Sequence, residues 1–282
     1  MSLISALIQL STTETETIPL RLGKANHAWF LSQIRRFDPQ LAEALHVPNQ
    51  ERPFTVSELW GPGVRRNAGN RRTTPNTPIY LRITSVSPRL TDLLLERVLP
   101  SLPEVVSLME TPYRVETFFL TPDQIEDRKL QVWVGQTTFE HLVARYTLQS
   151  RPPRRLRLQF ASPTVFRSQN AYLPLPLPRL VFEGLVRKWN AFSPIQVHPD
   201  VNRYAEETMV ISSYRLHTEI VRFGEGEKGI AYPGFVGQCS FALRHYDRYW
   251  MGLAHLLAAF ALYAGVGKNT AMGFGQTRLL TE

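Results

Sequence analysis

The sequence predicts an α+β chain made of two successive βαββαβ units. Three observations carry this expectation. The 282 residues suit two domains of about 140 residues each. The order of apolar runs reads strand, helix, strand, strand, helix, strand, and then repeats, which is the ferredoxin-like pattern. Between the repeats lies SRPPRR (150–155), polar, proline-bearing and basic, as a linker is. The expected divisions are a domain over 1–149, the linker 150–155 and a domain over 156–282.

In the first half, Leu3–Thr12 reads as a strand. A helix follows over Ala25–Phe37, with Phe30, Ile34 and Phe37 at helical spacing. Asp38-Pro39 reads as an N-cap and an N1 proline opening a short helix that ends near His46. Phe54–Trp60 and Ile79–Val86 read as strands, separated by GPGVRRNAGNRRTTPNTP, a long loop rich in glycine, asparagine and arginine. Pro88–Leu99 reads as a helix and Tyr113–Leu120 as a strand, and 130–149 adds a strand and a short helix.

In the second half, Arg155–Phe160 reads as a strand, and YLPLPLP leads into a helix over Arg179–Phe192. Met209–Phe223 and Gly234–Arg244 alternate as a strand pair, with room for an insertion at 224–232. Tyr249–Ala264 reads as a helix, and a glycine-rich loop leads to a last strand, Gln276–Thr281. No sequence repeat is visible between the halves.

Composition narrows the function. The chain carries a net charge of +8, but residues 1–150 hold 16 basic and 15 acidic side chains while 151–282 hold 16 and 9. From Arg151 to Lys188 there are eight basic residues and one acid, Glu183. Arginine outnumbers lysine 27 to 5. Arginine's planar fork grips phosphate and stacks on bases, so a polyanion partner, RNA above all, is the better reading. A solvated face or genome composition is the bland alternative. The one cysteine, Cys239, makes an intrachain disulfide or a cysteine-held zinc impossible and reads as a small buried residue. The longest apolar stretch, Met251–Val266, is too short and interrupted to span a membrane, and the N-terminus lacks a basic leader, so the expected compartment is the cytoplasm. The seven histidines include no i, i+3 or i, i+4 pair and no HExxH, so neither a metal nor a cofactor is expected.

The sharpest motif is GVGKNTAMGFGQ, with Gly265, Gly267, Gly273 and Gly275 around Lys268 and Asn269. A P-loop would need glycine at Leu262 and a hydroxyl at Asn269, and a dinucleotide fingerprint would need glycine at Thr270. What remains is a helix–loop–strand element. Its glycines allow positive φ, and its backbone N–H groups could cradle a phosphate.

This element, just before a final strand, resembles the signature of the RAMP superfamily. LQFASPTVFR (158–167), YPGFVGQCSF (232–241) and the pair DPQLAEALH and PFTVSELWG (38–46 and 53–61) resemble segments of the CRISPR-associated protein six family, and together they touch both ends and the middle of the chain. The resemblance implies two RAMP/RRM-like domains and cleavage of CRISPR repeat transcripts without a metal. The repeat's own 2′-OH would attack the adjacent phosphate, leaving a 2′,3′-cyclic phosphate (or 3′-phosphate) and a 5′-OH. Subunits of a CRISPR effector complex become potential partners, and the chain would act as a monomer or homodimer.

Such chemistry needs a base, an acid and a cation near the phosphorane. The resemblance points to His46, which ends the first helical region where the family commonly carries its catalytic histidine. The alternative is a histidine that only complements a helix dipole. His27, on the apolar side of the first helix, is the second candidate, and a satisfied core histidine is its bland reading. Lys24 and Arg52 are the cation candidates. Arg52 would act by charge alone, because arginine does not give up its proton. RNA binding would fall to Arg65, Arg66, Arg71 and Arg72, to Arg151, Arg154 and Arg155, and to the glycine element with Lys268. His245, within RHYDRYW, reads as an RNA contact or a structural residue, and His255 as buried. Two rivals stand beside the nuclease: a non-catalytic RAMP subunit that binds guide RNA, and a single-stranded RNA-binding protein unconnected with CRISPR.

Overall fold

The computed structural model describes residues 2–19, 21–48, 50–67, 70–148, 151–223 and 230–280. The chain forms two compact units, Met1–Thr138 with Ala271–Gly273, and Phe139–Thr270 with Phe274–Glu282.

In the first unit the elements run β1 (Ser2–Ser11), β2 (Thr17–Ile18), α1 (Gly23–Phe37), α2 (Pro39–His46), β3 (Phe54–Val56), β4 (Val64–Asn67), β5 (Asn70–Thr73), β6 (Ile79–Ser85), α3 (Pro88–Leu93), β7 (Val105–Leu108), β8 (Thr111–Phe119), α4 (Arg128–Gln131) and β9 (Gly135–Thr138). The main sheet has the order β3-β6-β1-β8-β7, all antiparallel. β1 is buried on both faces, which is why its apolar run is nearly continuous. One edge of β1 pairs with β8 over Leu7–Ser11 and with β9 over Ser2–Ser5. Asp38 caps α2 as expected, its carboxylate accepting from the Leu41 N–H at 2.9 Å. Phe30, Ile34, Leu90 and Leu94 lie in the core beside Ile4, Ile8 and Ile83.

The stretch expected to be a loop between β3 and β6 instead contains strands. β4 pairs with β5, and β5 with β2, as a small three-stranded sheet. Its arginines and asparagines hide the strand, because backbone pairing holds it and no apolar alternation marks it. β7 also escaped the sequence reading, being only four residues long. The helix begun by α3 continues as a π-helical segment over Leu94–Val98.

The second unit runs α5 (Phe139–Thr147), β10 (Arg155–Thr164), β11 (Phe166–Ser168), β12 (Ala171–Leu173), α6 (Pro178–Phe192), α7 (Asp200–Thr208), β13 (Met209–Phe223), β14 (Ile230–Leu243), α8 (Arg248–Ala264) and β15 (Thr277–Leu280). Its sheet has the order β13-β14-β10-β15. In each unit the strands of the βαββαβ series therefore stand second, third, first, fourth across the sheet, which is the ferredoxin-like arrangement. In β10, buried Leu156, Leu158 and Phe160 alternate with polar residues, including exposed Arg155 and Arg157. Helix α5 groups with this unit, although the sequence reading ran the first half to residue 149. The reason is aromatic packing: Phe139 meets Trp189 edge-on at 5.0 Å, and Trp189 meets Phe260 at 5.1 Å. Helix α7, unforeseen, buries Val201, Tyr204 and Ala205 at helical spacing. The linker's first residue, Ser150, and most of the insertion expected at 224–232 lie outside the described residues. Among the described residues, no helix is long and apolar enough to cross a membrane.

Candidate active site

The site grows from the N-terminus of α1. Glu58, two residues beyond β3, is almost wholly buried. Its carboxylate accepts from the N–H groups of Leu22 (2.8 Å) and Gly23 (3.1 Å). An acid there satisfies two donors that a helix start leaves free and complements the helix dipole. The Arg71 guanidinium stands 3.4 Å from the same carboxylate. Burial pushes the Glu58 pKa up, and the Leu22 N–H and the nearby Arg21 and Arg71 charges oppose that shift.

The tripeptide Ala271–Gly273 docks on this helix start. A Cβ on Gly23 would lie 2.0 Å from the Met272 carbonyl oxygen. Gly273 has φ +88°, and its N–H donates to the Val56 carbonyl at 2.8 Å, beside a parallel bridge to Ser57. This docking brings the Ala271 carbonyl oxygen to 3.2 Å from Nδ1 of His27.

That contact sets the chemistry of His27. A carbonyl oxygen can only accept, so Nδ1 carries the proton and Nε2 keeps its lone pair. The ring stacks on Phe54 with centroids 5.6 Å apart and planes 19° from parallel. His27 is 7% exposed, and burial lowers its pKa against the raising effect of the Ala271 bond. The charges of Arg52 and His46 lower it further, so both lie within electrostatic reach. His27 is thus a neutral imidazole with a basic nitrogen unblocked by the Ala271 bond.

His46 is the exposed last residue of α2. Its carbonyl accepts from Nη2 of Arg52 at 3.3 Å, which ties Arg52 to the end of the helix. The fold therefore gathers His27, His46 and Arg52, which the sequence spreads over 26 positions. Lys24 is exposed on the first turn of α1, three residues before His27. Among the described residues, no three His, Cys, Asp or Glu side chains gather into a group able to hold a metal ion.

The candidate RNA-binding residues divide. Arg65 and Arg72 are exposed and directly opposite each other across β4 and β5. Like charges so paired repel, and a phosphate between them would relieve the repulsion. Arg66 pairs through its backbone with Arg71, and its side chain lies outside the described residues. Arg71 is a correction: it is 6% exposed and bonds Glu58 and the Leu59 carbonyl, so its charge is used inside the unit. Arg151, Arg154 and Arg155 are exposed.

Five backbone amides of the glycine element, expected to cradle a phosphate, are engaged within the protein. The N–H of Gly265 donates to Ala261, Val266 to Gly275, Lys268 to Val165, Gly273 to Val56 and Gly275 to Pro163. These amides are committed within the protein. All four glycines do have positive φ, as does Asn269 (59°), and a Cβ on Gly267 or Gly275 would lie 2.7 or 2.0 Å from a backbone oxygen. The element is therefore a tight chain closure. Lys268 lies over the Tyr172 ring, 5.1 Å from its centroid.

Sequence reasoning missed Glu58 and Ala271. A lone acid within the apolar run PFTVSELWG was the available hint for Glu58; a backbone carbonyl leaves none.

The chain is similar to known proteins in sequence and fold. The family profile for the CRISPR-associated endoribonuclease Cas6 matches residues 158–277. A CRISPR-associated endoribonuclease Cas6 from Mycobacterium tuberculosis is 32% identical over 128 residues, covering 45% of this chain and 39% of that protein, so the match spans well under two thirds of the relative's length. A Cas6 solved as a product complex is 26% identical with a TM-score of 0.75, covering 100% of both chains. The Thermus thermophilus Cas6 is 26% identical with a TM-score of 0.70, covering 99% of this chain and 98% of that one. With the two ferredoxin-like units and the segment 158–277 alike, the chain is similar in sequence and fold to the CRISPR-associated Cas6 endoribonucleases.

Proposed function

We propose that this chain cuts CRISPR precursor RNA within its repeats by intramolecular transesterification, releasing guide RNAs. The observation that carries the reading is the His27–Ala271 hydrogen bond, which leaves an imidazole nitrogen within electrostatic reach of His46 and Arg52. It sits in a fold matched over its whole length by a Cas6 product complex.

In this mechanism Nε2 of His27 takes the proton from the 2′-OH, and the 2′-oxygen attacks the adjacent phosphorus. The bond from phosphorus to the 5′-oxygen breaks, and His46, exposed at the helix end, gives that oxygen a proton. Arg52 stabilises the charge gathering on the non-bridging oxygens. The products are a 2′,3′-cyclic phosphate, open to hydrolysis to a 3′-phosphate, and a 5′-OH. Side chains alone carry the proton transfers. Arg65 and Arg72, with the arginines of residues 151–155, hold the RNA backbone.

The test is incubation of the purified protein with its repeat RNA, with and without EDTA, and mapping of the product ends. Cleavage that survives EDTA and stops when the nucleotide 5′ of the scissile phosphate lacks its 2′-OH is the expected result. A magnesium requirement, or cutting of the deoxy substrate, overturns the mechanism. Tight repeat binding without any cleavage would favour a guide-binding subunit instead.

A further inference from the structure

We propose that the surface around RHYDRYW (244–250) is a stacking platform for unpaired nucleotides, so that the protein also holds single-stranded RNA next to the repeat. The proposal rests on the reading that the chain handles repeat RNA. The site lies wholly within the second unit.

Its aromatic side chains are placed outside the core. Tyr249 is 59% exposed. Trp250, partly exposed, is held from three sides. Tyr204 stacks on it at 5.8 Å and 23°, Tyr249 meets it at 4.9 Å and 71°, and His198 at 6.4 Å and 66°. The Tyr204 hydroxyl donates to the His245 carbonyl at 3.1 Å, so α7 braces the segment. Rings fixed in this way lose little freedom when a base stacks on them.

Within the motif the charge is positive. Arg244 and Arg248 are exposed within the motif. The basic stretch before β10 lies against it: the Arg154 guanidinium sits over the Tyr246 ring, 5.2 Å from its centroid, and the Tyr246 hydroxyl donates to the Pro152 carbonyl at 3.3 Å. The motif's single acid, Asp247, is occupied as the cap of α8, accepting from the Trp250 N–H at 3.0 Å. Aromatic faces interleaved with arginines suit a strand whose bases are free to stack and whose phosphates need cations. A duplex offers its bases to neither, so the ligand class is single-stranded RNA.

The experiment compares two labelled RNAs by anisotropy, the bare repeat and the repeat with ten unpaired nucleotides added at each end. Wild-type protein should bind the extended RNA more tightly. Tyr249→Ala should lose about tenfold in affinity for the extended RNA, on the scale of one lost base–ring stack, and little for the bare repeat. Tyr249→Phe, which keeps the ring, should behave as wild type. The proposal is overturned if the extension adds no affinity, if Tyr249→Ala binds both RNAs as wild type does, or if it loses equally on both. If the wild-type protein binds the unpaired extensions but not the repeat, the platform stands and the repeat-processing reading fails.

Discussion

A Cβ on Gly273 would lie 2.7 Å from Cγ of Glu58, closer than packed carbons come. The buried carboxylate and the loop glycine are thus fitted to each other. Glu58 also holds the first N–H groups of α1, so one side chain locates both the helix that carries His27 and the tripeptide that supplies its acceptor. Glu58→Gln keeps the shape but turns one acceptor into a donor facing an N–H group. The expected loss is about 1–3 kcal/mol of stability, the scale of an unsatisfied buried polar group, read by chemical denaturation. Single-turnover cleavage at saturating RNA should fall as well, because the His27 acceptor shifts.

The His27 base gives a definite pH dependence. Burial holds its pKa below the ordinary 6.5. The neutral, active form therefore persists below pH 6.5, and the acidic limb of the single-turnover rate profile should lie below that value. The same shift costs stability in acid: the unfolded chain takes up the proton first, so stability falls as pH drops from 6.5 through the lowered pKa. Replacing His27 with Gln should remove this part of the acid sensitivity. A wild-type acidic limb at or above 6.5 would contradict the assignment.

His46 has a different environment and a different prediction. It is exposed, and the contact seen at this position is made by its backbone carbonyl, which Arg52 binds. His46→Ala should leave the fold and repeat affinity nearly unchanged while slowing cleavage by about 10²–10⁴-fold, the scale of a lost general acid. Rates at saturating protein, beside binding curves, separate the two effects. Wild-type cleavage by this variant would move the acid elsewhere.

Gly267→Val should act on the fold. Gly267 has φ +82°, and its Cβ would lie 2.7 Å from the Val165 carbonyl oxygen. Left-handed strain alone costs on the order of 1–3 kcal/mol, and the clash adds to it. A fall in the denaturation midpoint should therefore precede any change in RNA affinity of the folded fraction. A variant of full stability with weakened binding would restore the phosphate-contact reading of the loop.

Much of the fold was legible because its causes are local. The spacing of Phe30 and Ile34, the Asp38-Pro39 cap and the alternation through Met209–Phe223 lie within windows of a few residues, and the structure forms helices and a strand there. The polar strands Val64–Asn67 and Asn70–Thr73 were not legible, since their order comes from backbone pairing with each other and with Thr17–Ile18.

The candidate site divides along the same line. His27 and His46 were readable as types of residue suited to acid–base work on a phosphate, and Arg52 as a charge to stabilise it. The tertiary structure alone decided which His27 nitrogen holds the proton, because the deciding carbonyl, Ala271, lies 244 residues away along the chain. It also decided that Arg71 faces a buried carboxylate and that five of the glycine element's amides bond inward, because each depends on a partner brought near only by folding. Sequence spells out which groups are present and how each short segment folds. Partnership between distant groups, and with it proton position and burial, is set by packing.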